Sequence, residues 1–96
     1  MSTVQEKFDL VQKFIKSGNT GGKELDNSQK LQLYALFKQI SEGPCKGSAP
    51  SKLKVVERAK YDAWKKLGNI SKEKAQELYI KVIEGVWPKW NEKAKL

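Results

Sequence analysis

Tyr34, Phe37 and Lys38 fall within one short stretch, Leu31-Gln32-Leu33-Tyr34-Ala35-Leu36-Phe37-Lys38-Gln39-Ile40-Ser41. Two aromatic rings and a cation at this spacing could hold something flat and anionic. The rings would stack on a planar group, and the phenol and ammonium would meet phosphate oxygens. Nothing in the stretch breaks a helix, and Leu, Ala, Gln and Lys favour one. On a helical wheel of about 100° per residue, Leu33, Leu36 and Ile40 share one side. Tyr34, Lys38 and Ser41 share another, with Phe37 at the border. A surface helix needs only the first stripe. The second has two readings: Tyr34 and Phe37 as ordinary core with Lys38 solvated, or all three as a ligand face.

A second anomaly is Lys60. Helical spacing puts Val56, Ala63, Trp64 and Leu67 on one face of a third helix, with Lys60 in its middle. A lysine in an apolar stripe either runs its ammonium out to water along the methylene stem or meets an anion.

The rest of the chain removes several chemistries. Histidine is absent, and with it the commonest general base and metal ligand. One cysteine, Cys45, allows no disulfide within the chain, suits a reducing compartment, and leaves no Cys/His zinc cluster. No paired-carboxylate spacing stands out. We expect no catalytic residues, no metal and no enzyme activity. The formal net charge of +8 favours anionic partners: nucleic acid, an anionic membrane or a small polyphosphate. No apolar run approaches the ~18 residues needed to span a bilayer. Met1-Ser2-Thr3 leads straight into Gln5-Glu6-Lys7, with no secretory hydrophobic region. Ninety-six residues suit a single domain, 1–96.

Four helices and no strand must position these groups. The first spans about Thr3 to Ser17 on the spacing of Val4, Phe8, Val11 and Ile15, with Thr3 and Glu6 as a capping box and Gly18 as its stop. A Ser/Gly/Asn connector follows. The second starts near Asp26, Asn27 or Ser28 and runs to about Glu42, ended by Gly43-Pro44. The third covers about Ser51 to Leu67. The fourth, capped by Ser71, carries Ala75, Tyr79, Val82, Ile83, Val86 and Trp90 inward, and Pro88 kinks it or ends it at about Trp87. The tail Asn91 to Leu96 is polar and prone to fray.

A basic helical domain of this kind suits several jobs. A DNA-reading helix would gather Arg and Lys, but Arg58 is the single arginine and the lysines are scattered. Trp87, Trp90, Lys89, Lys93 and Lys95 have some membrane-surface character, and a core-packed helix end explains them equally well.

The run Leu-Tyr-Ala-Leu-Phe-Lys-Gln, followed by Ala59-Lys60-Tyr61-Asp62-Ala63-Trp64 and Tyr79, resembles the acyl-CoA-binding protein family over roughly Phe8 to Val82. The resemblance implies an all-α four-helix bundle with up-down-down-up topology and a ligand, long-chain acyl-CoA, carried without catalysis. It implies that Tyr34, Lys38 and Lys60 hold the 3′-phosphate and nearby oxygens. Phe37 would stack on adenine, with Ala35 and Leu36 in the same ligand-binding run. Lys16 would reach the nucleotide end and Tyr79 would hydrogen-bond the ligand. Phe8, Ile15 and Leu31 would line the acyl chain's path. Phe37 departs from the family's usual tyrosine and Tyr61 from its tryptophan, and the first loop is a few residues longer. A cytoplasmic monomer that meets acyl-CoA-using enzymes and membranes transiently, without nucleic acid, is the expected setting. The alternative is a small basic module for nucleic acid or protein interaction.

Overall fold

In the computed structural model, which describes residues 3–18 and 21–90, Thr3 opens the first helix, α1 (Val4–Ser17). The Glu6 amide donates to the Thr3 hydroxyl at 3.1 Å. The Glu6 carboxylate accepts from that same hydroxyl at 3.4 Å. Gly18 ends the helix at φ 79°, a left-handed conformation that a side chain would strain. Of the connector, Asn19 and Thr20 lie outside the described residues.

The second helix, α2 (Asn27–Glu42), begins with a complete capping box. Gln29 N–H donates to the Asp26 carboxylate at 2.7 Å, and Asp26 N–H donates to the Gln29 side chain at 2.9 Å. Gly43, at φ 81°, stops it. The fourth helix, α4 (Lys72–Val86), is capped by the Ser71 hydroxyl and ends before Pro88.

The third helix, α3 (Val55–Lys66), starts four residues later than its periodicity suggests. Ser51 forms a tight turn instead of a cap. Its hydroxyl accepts from Leu53 N–H at 3.2 Å, and its carbonyl accepts from Lys54 N–H at 3.0 Å. This corrects the reading of Val56 as an inward residue. Val56 is 62% exposed, and Leu53 is 92% exposed.

α2 packs against both α3 and α4, and α1 packs against α4. The order across the molecule is therefore α3, α2, α4, α1. The extents are 44 × 29 × 17 Å. The shortest extent is less than half the longest, so the bundle is flattened. α2 and α3 run the same way. Lys60 meets Tyr34, and one turn further along both helices Trp64 meets Gln39. Among the described residues, four helices and no strand, in this order, form the all-α bundle that the resemblance implies.

The core joins Phe8, Val11 and Phe14 of α1 to Leu33 and Leu36 of α2 and to Ala75, Tyr79, Ile80 and Ile83 of α4. Trp87 and Trp90 fold back into this core, where Trp87 meets the Phe14 ring edge-on at 5.5 Å. Of the two readings of these tryptophans, the packed helix end holds. Lys93, Lys95 and the tail Asn91 to Leu96 lie outside the described residues. No helix among the described residues is long and apolar enough to cross a membrane.

Gln39 locks the α2–α3 seam. It is buried, donates to the carbonyls of Gly68 and Ile70 at 3.1 Å each, and accepts from the Trp64 indole at 3.2 Å. The indole N–H also donates to the Gly43 carbonyl at 2.9 Å. This network ties the ends of α2 and α3 to the turn that leads into α4.

Candidate functional site

The parallel run of α2 and α3 places their second stripes side by side. The Lys60 ammonium lies over the Tyr34 ring, 5.0 Å from its centroid. The Lys38 ammonium lies over the Trp64 ring at 5.1 Å and pairs with Glu42 one turn along its own helix. Cations sit on ring faces because the π cloud presents negative charge there. Two ammonium groups and two rings, drawn from two helices, thus converge on one patch. Tyr34, Lys38 and Lys60 are all half-buried, so they belong neither to the core nor to free solvent.

The charges of the patch are coupled. The hydrogen bond to Glu42 holds the Lys38 ammonium above its ordinary pKa, and Tyr34 is close enough to add to the shift. The same bond to Lys38 holds the Glu42 carboxyl below its ordinary value. Lys38 is therefore a firm cation, partly neutralised by its own helix.

Phe37 stands at the rim of this patch, 47% exposed. An aromatic ring left half in water is available to stack on a planar ligand. Ala35 and Leu36, by contrast, are buried. Lys16 is exposed in the last turn of α1. Tyr79 is buried in α4, its ring edge-on to Phe8 at 5.2 Å. Burial raises the Tyr79 hydroxyl above its ordinary pKa, partly offset by the Gln12 amide. No ring contact, ion pair or hydrogen bond among the described residues joins Lys16 or Tyr79 to the α2–α3 patch. The structure thus brings together Tyr34, Lys38 and Lys60, with Phe37 next to them, and places Lys16 and Tyr79 on the other two helices.

Trp64 is the member that its sequence position conceals. It reads as plain core, yet its ring carries Lys38. The available signal is its spacing, four residues after Lys60 and so one turn along the same helix.

Of the expected acyl lining, Phe8 is core and Ile15 is half-buried against it. Leu31 is half-buried, one turn before Tyr34 and Ala35. By the parallel register, Val56, one turn before Lys60, follows the same seam. Val56 is exposed, as are Val55 at the start of α3 and Leu53 just before it.

The model of the family described as "Acyl CoA binding protein" matches residues 5–83. "Acyl-CoA-binding protein homolog 3" of Caenorhabditis elegans is 40% identical over 88 residues, covering 91% of this chain and 76% of the relative. "Acyl-CoA-binding domain-containing protein 4" of Oryza sativa subsp. japonica is 38% identical over 88 residues, 92% of this chain but 26% of the relative. The chain thus spans about a quarter of the length of that relative. The crystal structure of ACBP from Moniliophthora perniciosa aligns with a TM-score of 0.79 at 30% identity, covering 99% of this chain and 90% of that one.

Proposed function

We propose, on the premise that this chain belongs to the acyl-CoA-binding protein family, that it binds long-chain acyl-CoA and carries it without catalysis. The convergence of Tyr34, Lys38 and Lys60 on one face of the α2–α3 seam carries this reading. Coenzyme A presents an adenine, a 3′-phosphate and a pyrophosphate. The two ammonium groups and the Tyr34 phenol meet phosphate oxygens, and Phe37 stacks on the adenine. Base stacking on an aromatic side chain is worth about 1–3 kcal/mol. Phe37 lacks the phenol usual at this family position, so any hydrogen bond made there is lost, a net change of about 0.5–1.5 kcal/mol.

The acyl chain follows the seam past Leu31 and Val56 onto the exposed side chains at the start of α3. Each methylene taken out of water contributes up to about 0.8 kcal/mol. An open apolar surface covers one side of the chain only, so the gain per carbon is smaller than that. Lys16 and Tyr79 reach the ligand from α1 and α4 if it extends across the bundle.

The role that follows is a cytoplasmic, monomeric carrier that shields acyl-CoA from water and passes it to enzymes and membranes. Nothing in the comparisons supports the nucleic-acid alternative. Isothermal titration with palmitoyl-CoA and with free CoA tests the proposal. The expected result is a one-to-one complex in which palmitoyl-CoA binds at least a hundredfold tighter than CoA. Equal affinities would remove the acyl-chain half of the proposal, and no binding of either would remove all of it.

A further inference from the structure

Among the described residues, four large apolar side chains stand exposed. Phe37 belongs to the ligand patch. The other three, Leu53, Val55 and Val56, fall within four residues at the start of α3 and are 92%, 72% and 62% exposed. Single exposed aliphatics are ordinary on a protein surface, but a run of three asks for a reason.

The segment that carries them is tethered. Three side chains of α3 reach back to its carbonyls. The Trp64 indole donates to Gly43 at 2.9 Å, the Tyr61 hydroxyl to Gly47 at 3.2 Å, and the Arg58 guanidinium to Pro50 at 3.1 Å. The Ser51 turn makes the last step into α3. Leu53 is therefore held out in water by a fixed loop.

The charge of this segment has one sign. From Gly43 to Val56 the chain carries Lys46, Lys52 and Lys54, all exposed, and no carboxylate. Lys46 stands near Glu42, whose carboxyl it helps hold low. No ion pair among the described residues involves Lys52 or Lys54, the two neighbours of Leu53 in the chain. Glu57 follows in the first turn of α3. At the adjoining start of α2, the exposed Lys30 and the capping Asp26 add one charge of each sign.

An apolar tip between cations fits the boundary of an anionic bilayer. There aliphatic carbons enter the acyl layer while ammonium groups stay with the headgroup phosphates. A protein partner fits less well. A stable interface covers roughly 800 Å² on each side, and three aliphatic side chains supply a fraction of that. A bilayer asks for no matching shape.

We propose that the tip formed by Leu53, Val55 and Val56, with Lys52 and Lys54 beside it, docks the protein on anionic lipid membranes. Docking itself needs no acyl-CoA. Its use rests on the acyl-CoA reading: Lys60 lies one turn beyond Val56, so a docked tip brings the cation patch beside the leaflet from which an acyl-CoA is drawn.

Co-sedimentation of the full chain, free of acyl-CoA, with phosphatidylcholine vesicles that contain or lack phosphatidylserine tests this. The expected result is partition onto the anionic vesicles about tenfold or more above that onto neutral ones, falling as salt rises. Leu53→Asn leaves the net charge untouched, yet it lowers that partition about fivefold or more. Lys52→Gln with Lys54→Gln also lowers it about fivefold or more. Lys7→Gln with Lys13→Gln, at exposed lysines of α1, removes the same charge and lowers it by about twofold or less. In bicelles of the anionic mixture doped with a paramagnetic lipid, the amides of residues 51–57 broaden most. Every substituted side chain is exposed, and circular dichroism checks that each variant folds. No partition, equal partition onto both vesicle types, or broadening centred elsewhere would overturn the proposal. So would indifference to Leu53→Asn or equal loss from the two lysine pairs, since the net charge of +8 alone would then adsorb the protein. A chain that docks by this tip but binds no acyl-CoA would defeat the acyl-CoA reading alone. One that binds acyl-CoA and fails to dock would defeat this inference alone.

Discussion

Lys60→Ala separates the role proposed for this residue from simple loss of positive charge. In the free protein the ammonium rests over the Tyr34 ring at 5.0 Å. A cation–π contact at a partly exposed site is worth about 0.5–1 kcal/mol. A charge-assisted hydrogen bond to a phosphate oxygen is worth about 1.5–3 kcal/mol. Binding exchanges the first for the second, so the net contribution is about 1–2 kcal/mol, or roughly 5–30-fold in affinity. The measurement is a cycle: wild type and Lys60→Ala, each titrated calorimetrically with palmitoyl-CoA and its 3′-dephospho analogue. If Lys60 serves the 3′-phosphate, most of the loss appears with the intact ligand, and the dephospho analogue weakens by twofold or less. Raising the salt compresses the difference, because the site is open enough to be screened. An equal loss for both ligands would show that Lys60 acts on the bound molecule as a whole and that its assignment to the 3′-phosphate is mistaken.

Glu42→Gln removes a carboxylate that pairs with Lys38 and stands near the expected phosphate. Palmitoyl-CoA should bind roughly two- to fivefold tighter at low salt, with the gain fading as salt rises, and weaker binding would contradict the placement. Gln39→Leu leaves the Gly68 and Ile70 carbonyls without their donor. At about 1–3 kcal/mol per orphaned group, thermal melting should fall by at least about 8 °C, and a change within about 2 °C would mean that water replaces the side chain. Burial raises the Tyr79 hydroxyl above its ordinary 10.0, so the fold favours the neutral phenol and loses that stability as pH rises past the ordinary value. Tyr79→Phe should flatten the fall in denaturation midpoint above pH 10, and parallel slopes for the two proteins would count against the burial argument.

The helices were legible because local signals agreed with packing. Thr3 with Glu6, and Ser71, each put a capping side chain ahead of an apolar stripe, and each opens a helix; at the second helix Asp26, Asn27 and Ser28 were equally good caps, and Asp26 is the one used. The start of α3 was not legible, because serine chemistry is ambiguous. The Ser51 hydroxyl that suits a helix cap also closes a two-residue turn, and the choice rests on backbone geometry beyond the local sequence. Phe14 and Ile80 sit outside the strict inward spacing, yet both are buried. A helix that contacts a curved neighbour buries a stripe wider than one row of residues. Within the candidate patch, Tyr34 and Lys38 announce themselves as a surplus polar-aromatic stripe on a helix that already has a core face. The partnership of Lys60 with Tyr34 needs the parallel run of α2 and α3, a long-range fact that the resemblance implies and wheel geometry does not.

The position of α2 explains how a flattened bundle can carry two chemically different faces. α2 packs against α3 in one direction and against α4 in another, which leaves positions between them open on either side. α2 spends Leu33 and Leu36 on the core and Gln39 on the seam. Its remaining positions divide between Tyr34 with Lys38 on one face and Ser28, Gln32 and Ala35 on the other. Gln39 anchors the arrangement with three hydrogen bonds, so neither face depends on a ligand to fix its backbone. The cations of the Tyr34 face are held in place in the free protein, Lys60 on a ring and Lys38 between a ring and Glu42. Such parking limits what each charge adds to affinity, since an existing contact must be exchanged, but it also removes the ordering cost of two long side chains. Phosphate recognition on this face is therefore a matter of position more than of strength, and tight binding has to come from the hydrocarbon that follows it along the seam.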